Sequence, residues 1–387
     1  MQDVFNLDKS KKLIEIGAVL ILFFAPFVNP LHYLGLLFGL LGWIIIVFNK
    51  SNRINYFLNI PLVKWFLVFN LISFAGIFYA DYTSYAIRKW SRVFQATVTF
   101  LIFFEIVKDK KDFLKILNYF LIGAFIIGVH GILNYHFTNA RRADALMGVN
   151  TRAIYFISLL FIPLFFYMVK DIGLKYKILY GLTSLNFFYN IIITKTRGAW
   201  IALFGGLLLF GVLYNKKILI IIILIFLISV PFMQEDYFDR ARSIIELEDS
   251  RIDKWPLTLE MLEGKSLIFG VGPGNYYAYA QYEYDISGGM RRHTHNLFLQ
   301  FAIELGLIGL IYISAFTINI FTMAIRACKS VKSIKNLGSA YLSSFLIILF
   351  SFYLHTLTHL SIHNRSTAAI LMFLLAGFVS LYKDAIC

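Results

Sequence analysis

Arg291-Arg292-His293-Thr294-His295-Asn296-Leu297 sets two guanidinium groups, two imidazoles and a carboxamide in seven residues, then runs straight into an apolar stretch. Imidazole titrates near neutral pH, so a neutral His295 facing an acceptor hydroxyl can take its proton as a general base. His293 and His295 can equally cap the following helix or bond a carbonyl, and those roles stay open. Zinc would need a third and fourth ligand, and none stands nearby in sequence at zinc spacing. Proton transfer is the better role, and no metal is expected.

Two other stretches carry chemistry. Thr194-Lys195-Thr196-Arg197-Gly198-Ala199-Trp200 reads as a tight polar turn with Arg197 opening a helix; helix N-terminal amides and a full positive charge together favour an anion. The other runs from Ser250-Arg251 through Trp255 to Phe269-Gly270-Val271-Gly272-Pro273-Gly274-Asn275-Tyr276. Its first half predicts an amphipathic helix with Ile252, Trp255, Leu259 and Leu262 on one face, lying on a membrane or covering a cavity. Its glycines would let backbone approach a ligand closely. A nucleotide phosphate loop is excluded because no Walker lysine follows. His355, His359 and His363 recur every four residues and meet Arg365, which lines one helical face; they fit the polar wall of the same cavity better than a metal site.

Membrane spans must position these groups. The 387 residues are 59% hydrophobic and only 15% charged, against roughly 25% in soluble proteins. Apolar runs of about 20 residues, enough to cross about 30 Å of hydrocarbon, predict an all-α polytopic membrane protein with twelve helices: 13–29, 31–48, 61–79, 92–107, 113–135, 152–169, 177–194, 198–214, 217–233, 296–325, 338–358 and 366–383. No linker or repeat divides 1–387, so one membrane domain is expected, with a large polar loop at 234–295. Lys9, Lys11 and Lys12 before the first run resemble a signal sequence, but no cleavage site follows, so a retained anchor is expected. Cys328 and Cys387 lack redox or metal spacing.

Lysines mark alternate connections (Lys108, Lys110 and Lys111; Lys170 and Lys175; Lys216 and Lys217; Lys329, Lys332 and Lys335), which places those connections and both termini in the cytoplasm. The large loop then lies outside. Sorted this way, 18 of 22 Lys fall inside and 12 of 14 Arg fall outside (Arg88, Arg92, Arg141, Arg142, Arg152, Arg197, Arg240, Arg242, Arg251, Arg291, Arg292 and Arg365). The split points to an external phosphate, because the planar guanidinium grips phosphate through paired hydrogen bonds. Headgroup anchoring and ion pairing explain part of it. A net charge of +14 therefore reflects span flanks and not nucleic-acid binding.

His295-Asn296, nine residues, then Gly306-Leu307-Ile308-Gly309 resembles the histidine motif of the O-antigen ligase and Wzy-type polymerase superfamily. The Thr-Arg-Gly-Ala-Trp turn at 196–200 and the segment at 269–275 resemble its other motifs, in the same order. The resemblance implies a glycosyltransferase C type fold in a bacterial inner membrane. It also implies inverting, metal-independent transfer of a glycan from undecaprenyl pyrophosphate on the periplasmic face, without a cofactor. His295 matches the essential histidine, Arg197 the arginine of the turn, and Arg251 the loop arginine, with Arg291 and Arg292 competing for that role. His293, Asn296, His359 and Arg142 are secondary candidates. Lipid A-core is the expected acceptor.

A polymerase joining lipid-linked repeats, or a protein O-oligosaccharyltransferase, would need the same donor site. A transporter for a lipid-linked glycan would instead place its binding groups near the bilayer midplane at broken helices, whereas these polar segments fall on one side.

Overall fold

The computed structural model describes residues 7–24, 29–48, 58–107, 110–138, 142–143, 146–214, 216–217, 220, 255–286, 292–331, 333–359 and 364–386. These residues are helical, with no strand among them; in hydrocarbon a helix is the one open-chain form that satisfies its own backbone. The long helices are α1 (Leu7–Phe24), α2 (Asn29–Phe48), α3 (Val63–Ala75), α4 (Thr83–Ile106), α5 (Lys110–Phe137), α6 (Val149–Tyr167), α7 (Leu174–Ile193), α8 (Arg197–Leu213), α9 (Leu297–Ser330), α10 (Leu337–Thr356) and α11 (Arg365–Ile386).

Six stretches among the described residues are long and apolar enough to cross a membrane: Pro30–Phe48, Lys110–Phe137, Val149–Tyr167, Leu297–Ser330, Leu337–Thr356 and Arg365–Tyr382. Val63–Phe78 and Arg197–Leu213 are shorter apolar helices. Nearly all of the span expected at 217–233, and residues 234–254 and 287–291 of the loop at 234–295, lie outside the described residues, so the fold is a multi-helix membrane architecture whose count of twelve stays an expectation. The helix expected at 92–107 begins earlier, at Thr83. Arg88, Lys89 and Arg92 extend it beyond the apolar run, since helix formation needs no apolar residue where the chain leaves the hydrocarbon.

α6 is the axis of the assembly. It carries apolar residues all round and is buried on nearly every face, the pattern of a helix enclosed by others. α7 and α10 pack against it, and α8 packs on α10.

A fully buried cation sits on this axis. Arg152 has no exposed surface. It donates Nε to Asn190 Oδ1 at 3.1 Å and Nη2 to the Ile127 carbonyl at 3.3 Å, and its guanidinium stands 5.3 Å from the Phe156 ring centroid. Gly131 makes room: a Cβ there would lie 1.4 Å from Arg152 Nη2. One of the twelve outward arginines is thus a tie between α5, α6 and α7, which weakens the phosphate reading of the whole set. Arg152→Ala is expected to cost about 3 kcal/mol, because Asn190 and the α5 carbonyls lose their buried donor. Thermal unfolding in detergent checks this; an unchanged midpoint would contradict it.

Candidate active site

Two short segments build the site by the same local device. In the first, Lys195 is left-handed at φ 51, Thr196 is the extended N-cap, and Arg197 begins α8. In the second, His295 is left-handed at φ 59, Asn296 is the extended N-cap, and Leu297 begins α9. Left-handed backbone costs a side-chain-bearing residue about 1–2 kcal/mol, and such strain clusters at functional sites. Asn296 offsets it here: its side-chain oxygen accepts from the Phe298 and Leu299 amides at 3.0 and 3.1 Å. Asn296 is therefore the cap that aims His295.

Arg142 clamps the first turn. It donates Nε to the Thr194 carbonyl at 2.9 Å and Nη2 to Thr196 Oγ1 at 3.1 Å, and the neighbouring Ala143 amide bonds the Ile193 carbonyl at 3.1 Å. Thr194, Lys195 and Thr196 are buried beneath it. Arg142, Asn150, Lys195, Thr196, Arg197, Gly198, Thr358 and His359 then line a polar pocket of about 150 Å³. Three cations meet there, with no acidic residue among the described lining residues.

His359 joins this pocket to the second segment. Its ring centroid lies 5.2 Å from that of His293 and 5.2 Å from that of His295, which are 4.2 Å apart. The expected helical face does not run on from His355 to His359. α10 ends at Thr356, and the Thr358 and His359 amides both turn back to the His355 carbonyl at 3.1 and 2.9 Å. His355 is fully buried, His359 faces the pocket, and His363 lies outside the described residues. The absence of a third histidine near His293 and His295 holds only along the sequence, since folding supplies His359.

A buried polar chain holds the second segment from behind. The Thr294 amide donates to Gln300 Oε1 at 2.8 Å, Gln300 Nε2 donates to Glu304 Oε1 at 2.7 Å, and Glu304 pairs with Lys89 at 3.2 Å. Trp255 Nε1 donates to the Thr294 carbonyl at 3.0 Å, so the preceding segment also braces His295. Burial, then the charge of Glu304, push the Tyr276 hydroxyl well above the usual tyrosine range, so it stays protonated. Removing one charge of the Lys89–Glu304 pair strands the other. Glu304→Leu is expected to lose about 3 kcal/mol, and the double variant with Lys89→Met to recover much of it, as unfolding midpoints of the three proteins would show.

The glycine segment at 269–275 packs closely on protein backbone. α9 breaks at Gly306 (φ 63, ψ −156). The carbonyls this frees at Ile303 and Glu304 accept from the Val271 and Gly272 amides at 2.9 and 3.0 Å. Asn275, fully buried, accepts from the Tyr82 amide at 2.8 Å. Within the described residues the expected amphipathic helix covers Trp255–Leu259 and ends before Leu262. Trp255 and Leu262 pack inward with buried Met261, Val271 and Ile303, while Leu259 is exposed and Ile252 lies outside the described residues.

Of the expected site residues, the fold brings together Arg142, Arg197, His293, His295, Asn296 and His359. Arg292 is exposed and does not line the polar pocket. Arg251 and Arg291 lie outside the described residues. Lys195, Asn150 and Thr358 are lining residues that sequence reasoning did not single out as site residues; Lys195 alone carried a signal, standing inside the polar turn.

Behind the α9 N-terminus lies an apolar cavity of about 160 Å³ between α3, α4, α9 and α11. Phe66, Phe69, Leu297, Phe301 and Leu375 are among its walls, with Lys89, Arg92 and Arg365 also in the lining.

The described residues thus form a multi-helix bundle with a cationic, histidine-bearing pocket where several helix termini meet. Residues 182–314, about a third of the chain, match the family model described as O-antigen ligase; this stretch is similar to that family, whose members are glycosyltransferase-like enzymes. The match spans the Arg197 turn, the glycine segment and the His295 motif; Arg142, Thr358 and His359 complete the pocket from outside it. No curated protein matches the chain.

Proposed function

We propose that this protein transfers a glycan with inversion from undecaprenyl pyrophosphate to an acceptor hydroxyl, most simply that of lipid A-core, on the periplasmic face of a bacterial inner membrane. The observation that carries the reading is the junction of the anion-favouring pocket around Arg197 with the imidazole of His295 through His359. The acceptor oxygen attacks the anomeric carbon from the face opposite the leaving phosphate, and His295 takes the hydroxyl proton. The glycosyl–phosphate bond breaks, and polyprenyl pyrophosphate leaves with its electron pair. Arg197 and Lys195 stabilise that charge as it grows, which is where fixed cations lower a barrier. Arg251 and Arg291 remain candidates for a second phosphate contact from the loop.

The apolar cavity behind the α9 N-terminus suits the polyprenyl chain, with Arg92 and Arg365 on the phosphate side. The whole of 1–387 acts as one membrane domain, with both termini cytoplasmic and the loop at 234–295 periplasmic. No metal or cofactor takes part in this mechanism.

The test gives the purified protein a polyprenyl-pyrophosphate glycan and a choice of lipid A-core, a second lipid-linked glycan or a hydroxyl-bearing protein. A mass gain on lipid A-core with inverted anomeric configuration is expected. A gain on the second lipid-linked glycan makes it a polymerase, and vesicle uptake without a new glycosidic bond makes it a transporter.

A further inference from the structure

His293, His295 and His359 form more than a wall. Each offers a nitrogen, and the three nitrogens lie within 4.8 Å of one another. A zinc-type ion at about 2.0–2.1 Å from three imidazoles in tetrahedral geometry sets the nitrogens about 3.3 Å apart and the ring centroids about 5 Å apart. The centroids stand at 4.2, 5.2 and 5.2 Å, so two of the three spacings already match that geometry and the His293 and His295 rings must part slightly. Two of the three are held at the main chain: His295 by the Asn296 cap and His359 by its amide bond to the His355 carbonyl.

We infer that this triad is a binding site for a borderline divalent transition ion such as Zn²⁺, with its fourth position open to an anionic oxygen. Three neutral imidazoles select zinc, cobalt, nickel or copper over magnesium and calcium, which require oxygen ligands. The cations of the adjoining pocket, Arg142, Lys195 and Arg197, oppose a bare dication. They favour an anion beside it, so hydroxide or a phosphate oxygen in the fourth position reduces the local charge.

The consequence rests on the reading of His295 as the base. An ion that holds the His295 lone pair removes it from proton transfer, so the metal is an inhibitor of the site and no cofactor of it.

Co²⁺ is the probe, since a tetrahedral cobalt site absorbs visibly whether or not the protein turns over. Metal-stripped, full-length protein in detergent is expected to take up one equivalent with a tetrahedral spectrum, displaced by Zn²⁺ and indifferent to Mg²⁺. His359→Ala and, separately, His293→Ala should weaken uptake more than about tenfold, the least that disturbing even an outer partner of a metal ligand brings. Retained helical circular dichroism separates this from misfolding. A wild-type protein without the cobalt spectrum, or one whose spectrum survives both substitutions, overturns the inference and leaves the His295 reading intact. In the transfer assay, Zn²⁺ should inhibit the wild type reversibly by chelator, and His359→Ala should lose that sensitivity relative to its own metal-free rate. Tight binding without inhibition would keep the site and overturn His295 as the base.

Discussion

His295→Ala is expected to lower glycan transfer by about 10²–10⁴-fold, the range that a positioned general base contributes, with little change in donor binding. Two features single out this imidazole. Its backbone is left-handed and only 7% of its surface is exposed, so the fold accepts strain to hold it against His359, which lines the cationic pocket. Its neighbours on either side, Thr294 and Asn296, spend their polar groups on the main chain, which leaves His295 as the segment's aimed group. Initial rates with a lipid-linked glycan donor, measured on protein with an unchanged unfolding midpoint, check this. A rate within a few fold of wild type would remove His295 from the chemistry.

The sequence made the motifs legible and concealed their division of labour. Residue type and position beside an apolar run were enough to single out Arg197 and His295, because a polar turn opening a membrane helix leaves its side chains at the helix end. The meaning of the glycines was not legible. Gly270 and Gly272 accept backbone conformations closed to other residues, and the sequence cannot say whether the partner so admitted is a phosphate or another stretch of chain. The structure answers with the broken helix at Gly306.

The arginines show the same limit. Arg142, Arg152, Arg197 and Arg365 carry one sign, yet they do different work. Arg142 clamps a turn, Arg152 fills a buried notch beside Gly131, and Arg365 stacks 4.7 Å over Tyr33 at the apolar cavity. A guanidinium satisfies carbonyls, carboxamides and ring faces as readily as phosphate, so the Arg-outside bias overstates the phosphate site. His359 was found as a candidate, but its partnership with His295 depends on a turn at 357–359 that no spacing rule predicts.

Gly306→Ala should be strongly damaging for a single added methyl, because it strikes the joint between the two motif segments. At φ 63 and ψ −156 the residue lies in a region essentially reserved for glycine, where other residues are strained by about 1–3 kcal/mol. The added Cβ would also stand 2.2 Å from the Ile268 carbonyl oxygen and 2.6 Å from the Gly270 amide nitrogen. Both are backbone atoms, so no side chain can swing aside. The segment 268–272 must lift, taking with it the Val271 and Gly272 hydrogen bonds to the α9 carbonyls. A total loss of more than about 3 kcal/mol is expected. Transfer activity should fall with it, since the same nine-residue turn of α9 carries Gln300 and Glu304, the brace of the Thr294 amide. Gly264→Ala is the paired control: it also has positive φ, at 56, but open space around its Cβ position, so about 1 kcal/mol is expected from the backbone alone. Unfolding midpoints of the two variants separate conformational strain from collision. Equal losses would mean that the contact between residues 268–270 and Gly306 does not hold the His295 segment in place.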